Sequence, residues 1–348
     1  MRWQSQSVDA EDTVSGPRPL PGFERTGLVR SVQTPEFDGI TFHEVLCKSA
    51  LNKMPAESNL PFKWTINPMR GCSHACRYCF ARGSHEYLDL DAGNDFDSQI
   101  VVKTNVAAIL RKELARRSWR REQVALGTNT DPYQRAEGRY RLMPGIIRTL
   151  TDAGTPFSIL TKGTLLRRDL PLLTLAARQV DVSVAVSLAL LDPELHRSLE
   201  PGTPTPRARL DLIRALADAG FEVRVMVAPV LPYLTDSERD LNALFGALAD
   251  AGAPAVTAFP LHLRGATRGW FLNWLGENHP ALLSRYRRLY GRGANVTPEY
   301  SAWLRSRVAS LTERHGLGPR PAPERIPENP SPDPAADAPR SDQLALFA

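Results

Sequence analysis

"GCSHACRYCF", residues 71–80, places three of the chain's four cysteines within eight positions. Cys72, Cys76 and Cys79 stand at i, i+4 and i+7, a spacing that one face of a buried helix also produces. Such a stripe normally carries leucine or isoleucine, whereas here a proline and a glycine precede the thiols and polar residues separate them. Because proline and glycine interrupt helices, the stretch predicts a loop after a strand at 63–68.

Two kinds of metal site fit these thiols. A zinc ion needs a fourth ligand, which Cys47, His74 or His85 could supply, but zinc ligands usually come as two C-x-x-C pairs and the sequence has no second pair. In a cubane of four irons each thiolate binds one iron, so three cysteines leave the fourth iron open for a substrate. The cysteine pattern favours the iron–sulfur cluster over zinc, and either metal over a packing stripe.

Composition indicates a soluble protein with one large core or two modest ones. The chain has 348 residues, 42% of them hydrophobic, and no apolar run approaches the ~20 residues of a membrane-spanning helix. The first residues lack an apolar run of the secretory kind, so we expect a cytoplasmic protein without disulfide bonds. The formal charge of +5 permits an anionic partner. The densest basic segment, 111–121, fits a solvated helix face better than a phosphate-binding patch.

Short β-branched runs alternate with longer amphipathic segments along most of the chain, a pattern typical of β/α units. The predicted strands are 63–68, 123–127, 156–162, 180–188, 221–230 and 254–259. The predicted helices are 104–117, 140–153, 167–177, 206–219 and 236–251. Gly154, Gly220 and Gly252 should end three of these helices, because glycine readily adopts the left-handed conformation.

These units predict an α/β fold with a parallel sheet, since strands such as "VDVSVAVSL" (180–188) are apolar almost throughout. Periodicity alone does not decide between a partial (β/α)6 barrel and a doubly wound sheet. In both, ligands bind at the carboxyl ends of the strands.

The sequence also predicts how the chain is divided. An N-terminal extension, 1–60, is loosely ordered at its start and contains a hairpin with an Asp-Gly turn at 36–42. The core spans 61–296 and a last helix spans 297–317. A disordered, proline-rich linker follows at 318–340, and 341–348 is a candidate docking peptide.

Five motifs together resemble the radical S-adenosylmethionine (radical SAM) enzymes related to spore photoproduct lyase. They are "NPxxGCxHxCxYCxAR" (67–82), "TNTDPYQ" (128–134), "TKG…LRRDL" (161–170), "LEPGTPTPRARL" (199–210) and "VMVAPVLP" (225–232). The resemblance covers about residues 60 to 265 and implies a partial (β/α)6 barrel with a [4Fe-4S] cluster. It also implies an enzyme whose open iron binds S-adenosylmethionine (SAM), which one electron from the cluster cleaves to a 5′-deoxyadenosyl radical.

The resemblance implies roles for residues at the strand ends. Cys72, Cys76 and Cys79 would bind the cluster. Oxygen atoms after the second strand can bind an ammonium group, as the family binds the amino group of SAM there, although an ordinary Asp-Pro turn would carry the same residues. Lys162 and Ser187 would lie near the SAM carboxylate and ribose. The full set of implied SAM contacts is Tyr78, Thr128, Asn129, Thr130, Asp131, Lys162, Ser187 and Pro229.

Two parts of the pattern carry no assigned chemistry. Glu200 and Arg209 belong to it, and a structural ion pair is one interpretation. Spore photoproduct lyase has a cysteine hydrogen donor where this chain has Thr128, and a hydroxyl donates a hydrogen atom poorly. The reversal of the thymine-dimer lesion itself is therefore not expected. The remaining thiol, Cys47, fits a small buried residue.

The chain ends in "SDQLALFA", residues 341–348, which is apolar where a solvated tail would be polar. "QLALF" resembles the peptide by which bacterial polymerases and repair proteins dock on the β sliding clamp. Gln343, Leu344, Leu346 and Phe347 would make that contact. Alternatively, these residues fold back onto a groove of their own domain.

The leading hypothesis is a radical SAM enzyme, of a repair-like and lyase-like type that cleaves carbon–carbon bonds, acting on DNA or a nucleotide. Its electron donor would be a flavodoxin or a ferredoxin. A second hypothesis directs the same radical at a protein or a small molecule. A third is a zinc-stabilised binding protein without catalysis.

Overall fold

A computed structural model of the chain describes residues 27–55 and 62–318, which belong to one compact unit. The predictions for the start of the chain, for most of the linker and for the docking peptide lie outside the described residues. None of the helices in the described ranges is long and apolar enough to cross a membrane.

The described residues form strands and helices in alternation. The strands are β1 Leu28–Gln33, β2 Thr41–Val45, β3 Leu51–Lys53, β4 Trp64–Ile66, β5 Met69–Arg70, β6 Gln99–Lys103, β7 Val124–Leu126, β8 Phe157–Thr161, β9 Val182–Ser187, β10 Arg224–Val230 and β11 Ala255–Pro260. The helices are α1 Asn94–Ser98, α2 Val106–Leu114, α3 Ala136–Tyr140, α4 Leu142–Asp152, α5 Leu170–Ala176, α6 Pro193–Leu199, α7 Pro206–Asp218, α8 Glu238–Asp250, α9 Ala266–Asn278, α10 Pro280–Tyr290 and α11 Pro298–Arg314. Segments of 3-10 helix lie at Pro35–Phe37, Phe80–Leu88 and Thr164–Asp169.

The larger sheet has the order β11-β10-β9-β8-β7-β4-β3. Six of its strands are parallel and follow chain order, and β3 joins the edge antiparallel to β4. A doubly wound sheet would reverse its strand order at a switch point. Because this order never reverses, right-handed crossovers place the helices on one face and leave the other face as the inside of an open barrel. The predicted partial (β/α)6 barrel is confirmed.

The core explains why these segments fold as they do. The residues of β7 to β10 that face the helices are almost fully buried against α4, α7 and α8, which present leucine and isoleucine at helical spacing. Gly154, Gly220 and Gly252 follow three of these helices with φ of 62°, 87° and 82°. They end the helices in the left-handed conformation, as the sequence predicted.

The N-terminal hairpin differs from the prediction. Its strands are β1 and β2, and Leu28–Gln33 pairs with Thr41–Val45. Only the last two residues of the predicted range 36–42 therefore lie in a strand, and the rest forms the connection. The Asp-Gly turn lies in the connection, but residues 35–37 form a 3-10 turn because Pro35 has no N–H to donate to a ladder. This hairpin belongs to a second sheet, ordered β1-β2-β6-β5, that the sequence did not predict.

Among the helices that the sequence did not predict, α9 and α10 are the longest. Helices α9 and α10 follow β11 and pack on the cysteine loop, where Phe271, Trp274 and Tyr286 join Cys76 and Tyr78 in one apolar cluster. They provide one wall of the region where the barrel strands end. We refer to residues 261–297 as the α9–α10 lobe.

Candidate active site

The cysteine loop follows β4 and is a series of tight turns. The Ala75 amide donates to the carbonyl of Cys72 at 3.1 Å, and the Cys79 amide donates to that of Cys76 at 3.2 Å. Ala75 has a φ of 53°, which ends any helical path between the thiols. Cys72 and Cys76 are buried, Cys79 is partly buried, and all three are free thiols. The loop therefore forms as predicted, and the helical stripe does not.

A cavity of about 220 Å³ lies against this loop at the carboxyl ends of the barrel strands. The three cysteines form one part of its wall. Neighbouring residues of the cysteine loop and residues from the ends of β7 to β11 form the rest. Of the predicted SAM contacts, the wall includes Tyr78, Asn129, Asp131, Lys162, Ser187 and Pro229. The topology thus brings together residues that are far apart in the sequence.

Two predicted contacts are not part of the cavity wall. Thr130 is 1% exposed, and its hydroxyl donates to the carbonyl of Met69 at 2.9 Å. That bond ties the loop after β7 to β5, immediately before the cysteines. Thr128 is half-buried on the same loop. Asn129 is therefore the residue among these three whose position gives it access to the cavity.

Both carboxylate oxygens of Asp131 are already engaged with the protein. One accepts from the Thr161 hydroxyl at 2.5 Å and from the Tyr133 amide at 2.9 Å. The other accepts from the Lys162 amide at 2.6 Å and lies 3.4 Å from Nδ1 of His74. Asp131 therefore joins the cysteine loop to the end of β8.

Electrostatics favour a charged pair at this point. Burial alone would raise the pKa of the Asp131 carboxyl, but His74 and the hydrogen bonds outweigh burial and lower that pKa. Burial would lower the pKa of His74, but Asp131 and Cys72 raise that pKa to about 10. The pair fixes the orientation of the loop between the first and second cysteines.

A buried network connects the cavity to the cysteine loop. The Lys162 ammonium donates to the Ser187 hydroxyl at 2.6 Å and lies 3.4 Å from the Glu200 carboxylate. Glu200 also accepts hydrogen bonds from the Tyr78 hydroxyl and the Arg209 guanidinium. Glu200 and Arg209 are both fully buried. The suggested pair is thus present, and it holds two cavity-lining residues in addition.

The network is ionised at neutral pH. Burial would raise the pKa of Glu200, but Arg209, Lys162 and Tyr78 hold that pKa well below its usual range. Burial and the Glu200 charge together raise the pKa of Tyr78 well above its usual value. Glu200 is therefore a carboxylate, and Tyr78 is a neutral phenol that donates to it.

Glycines let backbone segments approach the site closely. Gly127, at the end of β7, has a φ of 87°, and a Cβ there would lie 1.9 Å from the carbonyl oxygen of Leu160. Gly202, in the motif "LEPGTPTPRARL", has a similar role, since its Cβ would lie 2.0 Å from the carbonyl oxygen of Ser73. Neither position has space for a side chain.

Residues 66–245 match the sequence profile of the Radical SAM superfamily. The chain belongs to this superfamily. It is 65% identical over 325 residues to uncharacterized proteins of Mycobacterium tuberculosis and Mycobacterium bovis, an alignment that covers 93% of this chain and 96% of each relative. An uncharacterized protein of Methanocaldococcus jannaschii is 26% identical over 176 residues, covering 51% of this chain and 63% of that relative.

Solved structures confirm the fold of this radical SAM protein. Spore photoproduct lyase complexed with dinucleoside spore photoproduct superposes with a TM-score of 0.58 at 17% identity, covering 80% of each chain. A mutant of that enzyme with bound AdoMet and dinucleoside spore photoproduct gives a TM-score of 0.57 at 17% identity, covering 75% of this chain and 76% of the other.

The donor set fits the cluster that the radical SAM family implies. Among the described residues, no group of three or more His, Cys, Asp or Glu side chains converges as one metal ion would require. A cubane differs, because each of its irons takes a single thiolate. Two of the proposed fourth zinc ligands have other partners, since His74 pairs with Asp131 and His85 pairs with the carbonyl of Gln99. The third, Cys47, is not part of the cavity wall.

Sequence reasoning missed one residue that supports the cysteines. Arg82 is fully buried and donates twice to the carbonyl of Cys76, at 3.2 and 3.0 Å. The same guanidinium donates to both oxygens of Asp97, at 2.9 and 3.0 Å, and lies 4.7 Å from the ring centroid of Trp270. The only signal was the "AR" that follows the last cysteine in the motif.

Proposed function

We propose that the chain binds a [4Fe-4S] cluster through Cys72, Cys76 and Cys79, binds SAM in the adjoining cavity, and acts on DNA or a nucleotide. The observation that supports this most directly is the shared cavity. Three thiols form one part of its wall, and polar groups from the ends of β7, β8 and β9 face them. Such a cluster, when bound, supplies the electron that cleaves SAM to a 5′-deoxyadenosyl radical.

The chain's own residues account for SAM binding. Lys162 offers a cation for the SAM carboxylate, and Ser187, held by Lys162, offers a hydroxyl for the ribose. Asn129 offers an amide oxygen for the amino group. Leu160, Met226 and further apolar residues line the same cavity and exclude water from a reactive intermediate.

Two observations support a nucleic-acid substrate. The spore photoproduct lyase structures that share this fold contain a dinucleoside lesion. In addition, Phe80 and Phe259 line the cavity while remaining 52% and 47% exposed. Exposed aromatic rings at a cavity mouth are suited to stacking on a nucleobase. Thr128, in the place of a cysteine hydrogen donor, argues for a reaction other than reversal of the spore photoproduct.

Anaerobic reconstitution tests the cofactors. We expect iron and sulfide in cluster stoichiometry, and 5′-deoxyadenosine when SAM and dithionite are added. Cys76→Ala should bind less iron and form no 5′-deoxyadenosine, whereas Cys47→Ala should behave as the wild type. Preparations that bind zinc alone would contradict the proposal. So would preparations whose cluster is reduced by dithionite without any cleavage of SAM.

Product analysis tests the substrate. The reconstituted protein should convert ultraviolet-damaged DNA or a nucleotide in a SAM-dependent reaction. Cleavage of SAM that no DNA or nucleotide alters, but that a peptide or a small metabolite does, would favour the second hypothesis.

A further inference from the structure

Two segments that contain several arginines, 111–121 and 261–297, lie at opposite ends of the barrel. Residues 111–121 span the end of α2 and the approach to β7, so they lie at the amino ends of the strands. The cavity lies at the carboxyl ends. The segment that the sequence singled out as most basic is therefore remote from the proposed site.

The α9–α10 lobe is the second basic segment. Residues 261–297 contain six arginines and a single acidic residue, Glu277. The lobe begins inside the cavity wall, because Leu261 and His262 both line it. Its charge is therefore located where a substrate would enter.

Hydrogen bonds hold the end of this lobe against the cavity wall. Nδ1 of His262 pairs with Oδ1 of Asn295 at 2.7 Å, and the Leu263 amide donates to the carbonyl of Ala294 at 2.8 Å. Arg268 donates to the carbonyls of Gly291 and Gly293, at 2.6 Å each. These bonds bring residues 291–295 beside 262–264, so Arg264 and Arg292 belong to segments that adjoin His262, a residue of the cavity wall.

Helix α10 continues the charged surface. Tyr286 and Tyr290 are its buried face. Arg285 and Arg288, three residues apart, share the exposed side with Arg292, which follows the helix. The Arg285 guanidinium stacks over Tyr233, 3.8 Å from the ring centroid, in the loop after β10. This contact places Arg285 at the carboxyl end of the barrel, which is the end that holds the cavity.

We name Arg264, Arg285, Arg288 and Arg292 the arginine rim. All four are exposed, and none forms an ion pair with a carboxylate in the part of the chain that the structure describes. Uncompensated charges on one surface repel each other and favour a polyanion. We infer that the arginine rim binds the phosphodiester backbone of DNA and places a strand across the cavity mouth.

The arginine rim and the exposed phenylalanine rings would contact different parts of the DNA. The rim would hold phosphates, which position a strand without reading its sequence. Phe80 and Phe259, at the mouth, would stack on the base to be modified. This inference rests on the proposed function, which places the reaction in the cavity. DNA binding itself can be measured without any turnover.

Fluorescence anisotropy with a short labelled single-stranded DNA tests the rim. The full-length reconstituted protein is compared with a variant that carries Arg264→Gln, Arg285→Gln, Arg288→Gln and Arg292→Gln. The matched control carries Arg111→Gln, Arg116→Gln, Arg117→Gln and Arg120→Gln, four exposed arginines at the other end of the barrel. Both variants lose the same net charge, so only the position of the charge differs.

We expect the rim variant to lose four phosphate contacts. The slope of log K against log salt should fall by about 3, and the Kd near ~0.1 M salt should rise on the order of 100-fold. The control should change both quantities far less. A second variant with four Arg→Lys exchanges should retain the slope, since lysine preserves the charge. Equal losses in rim and control variants, or no DNA binding by the wild type, would overturn the inference.

SAM cleavage with dithionite, in the absence of DNA, separates the two proposals. The rim variant should form 5′-deoxyadenosine as the wild type does, because no rim residue lines the cavity. If no variant cleaves SAM, the proposed function fails while the anisotropy result still decides the role of the rim.

Discussion

Glu200 is the residue whose replacement should be most informative, because it is buried among groups that all depend on its charge. Exchange for glutamine preserves the size of the side chain and one acceptor oxygen but removes the negative charge. Arg209 is 0% exposed and would lose its anionic partner, and Lys162 would lose the carboxylate 3.4 Å from its ammonium. The exchange therefore leaves a buried guanidinium without compensation.

The expected cost follows from that geometry. Removing one partner of a buried ion pair typically costs about 3–5 kcal/mol. Arg209 retains bonds to the carbonyls of Pro204 and Ser187, at 3.1 and 3.0 Å, which place the cost toward the lower end of that range. Because the unfolding entropy is about 2.1 cal/mol/K per residue, each kcal/mol lowers the Tm of a chain of this size by roughly 1.5 °C. Glu200→Gln should therefore lower Tm by about 5 °C.

Glu194→Gln provides the matched control. Glu194 lies in helix α6, six residues before Glu200, and its pair with Arg197 is 3.7 Å long with both side chains largely exposed. Such a surface pair contributes less than about 1 kcal/mol. Differential scanning calorimetry of both variants, prepared with the cluster, gives the comparison. A Tm loss in Glu200→Gln no larger than in Glu194→Gln would refute the network.

A double variant distinguishes a lost charge from a lost contact. Combining Glu200→Gln with Arg209→Met removes both charges, so the stranded guanidinium is gone. The double variant should be more stable than Glu200→Gln alone, since a buried ion pair replaced as a whole often costs little. Additive losses would indicate that packing, rather than charge, is what the two residues contribute.

Three further outcomes follow from the same structure. Gly127→Ala should lower stability by more than about 2 kcal/mol in urea unfolding, because both its φ of 87° and the Leu160 carbonyl oppose a Cβ. Gly220→Ala, with the same φ and no atom within 4 Å, should cost about 1 kcal/mol, so equal losses would contradict the close approach. Arg82→Gln should reduce iron retention during gel filtration, because it releases the carbonyl of Cys76; retention equal to the wild type would contradict the support role. The stability difference between wild type and Glu200→Gln should be constant above about pH 5 and shrink below about pH 4.5, because the lowered pKa of Glu200 contributes stability that is lost as pH falls through its folded value. Urea midpoints across pH check this sign, and a difference that grows on acidification would contradict it.

The six parallel strands and their helices could be predicted because their signals are local. Strands buried on both faces carry continuous apolar runs, as in 180–188, and a glycine after a helix marks its end. The cavity residues could be proposed for a related reason. Parallel strands bring their carboxyl ends to one edge, so Asn129, Lys162 and Ser187 had to lie near each other once the strands were located.

Features that depend on long-range pairing could not be predicted in this way. Strand order, which separates a barrel from a doubly wound sheet, is absent from any single segment. Thr130 carries a hydroxyl that could contact SAM, but this hydroxyl bonds to a backbone carbonyl 61 residues earlier in the chain. The sequence placed Glu200 in a motif but did not reveal its neighbours, because Tyr78 lies 122 residues away.

The α9–α10 lobe was missed for a different physical reason. Helix α9, "ATRGWFLNWLGEN", carries glycine inside its span and aromatic residues on several sides, so no single apolar face repeats at helical spacing. Phe271 and Trp274 are instead buried in the apolar cluster that contains Cys76 and Tyr78 of the cysteine loop. The apolar residues of a helix that packs on an irregular site are placed to fit that site, so they do not repeat at helical spacing.

The position of this lobe suggests how chemistry and recognition are divided in the chain. The match to the radical SAM superfamily ends at Phe245, within α8, and includes the cysteines, Lys162, Ser187 and Glu200. The remaining cavity wall, from Phe259 to His262, and the whole arginine rim lie after that point. If the matched part supplies the radical and the later part holds the DNA backbone, rim variants should lower the conversion of any DNA while leaving SAM cleavage intact. Variants of the Glu200 network should impair SAM cleavage whatever DNA is offered.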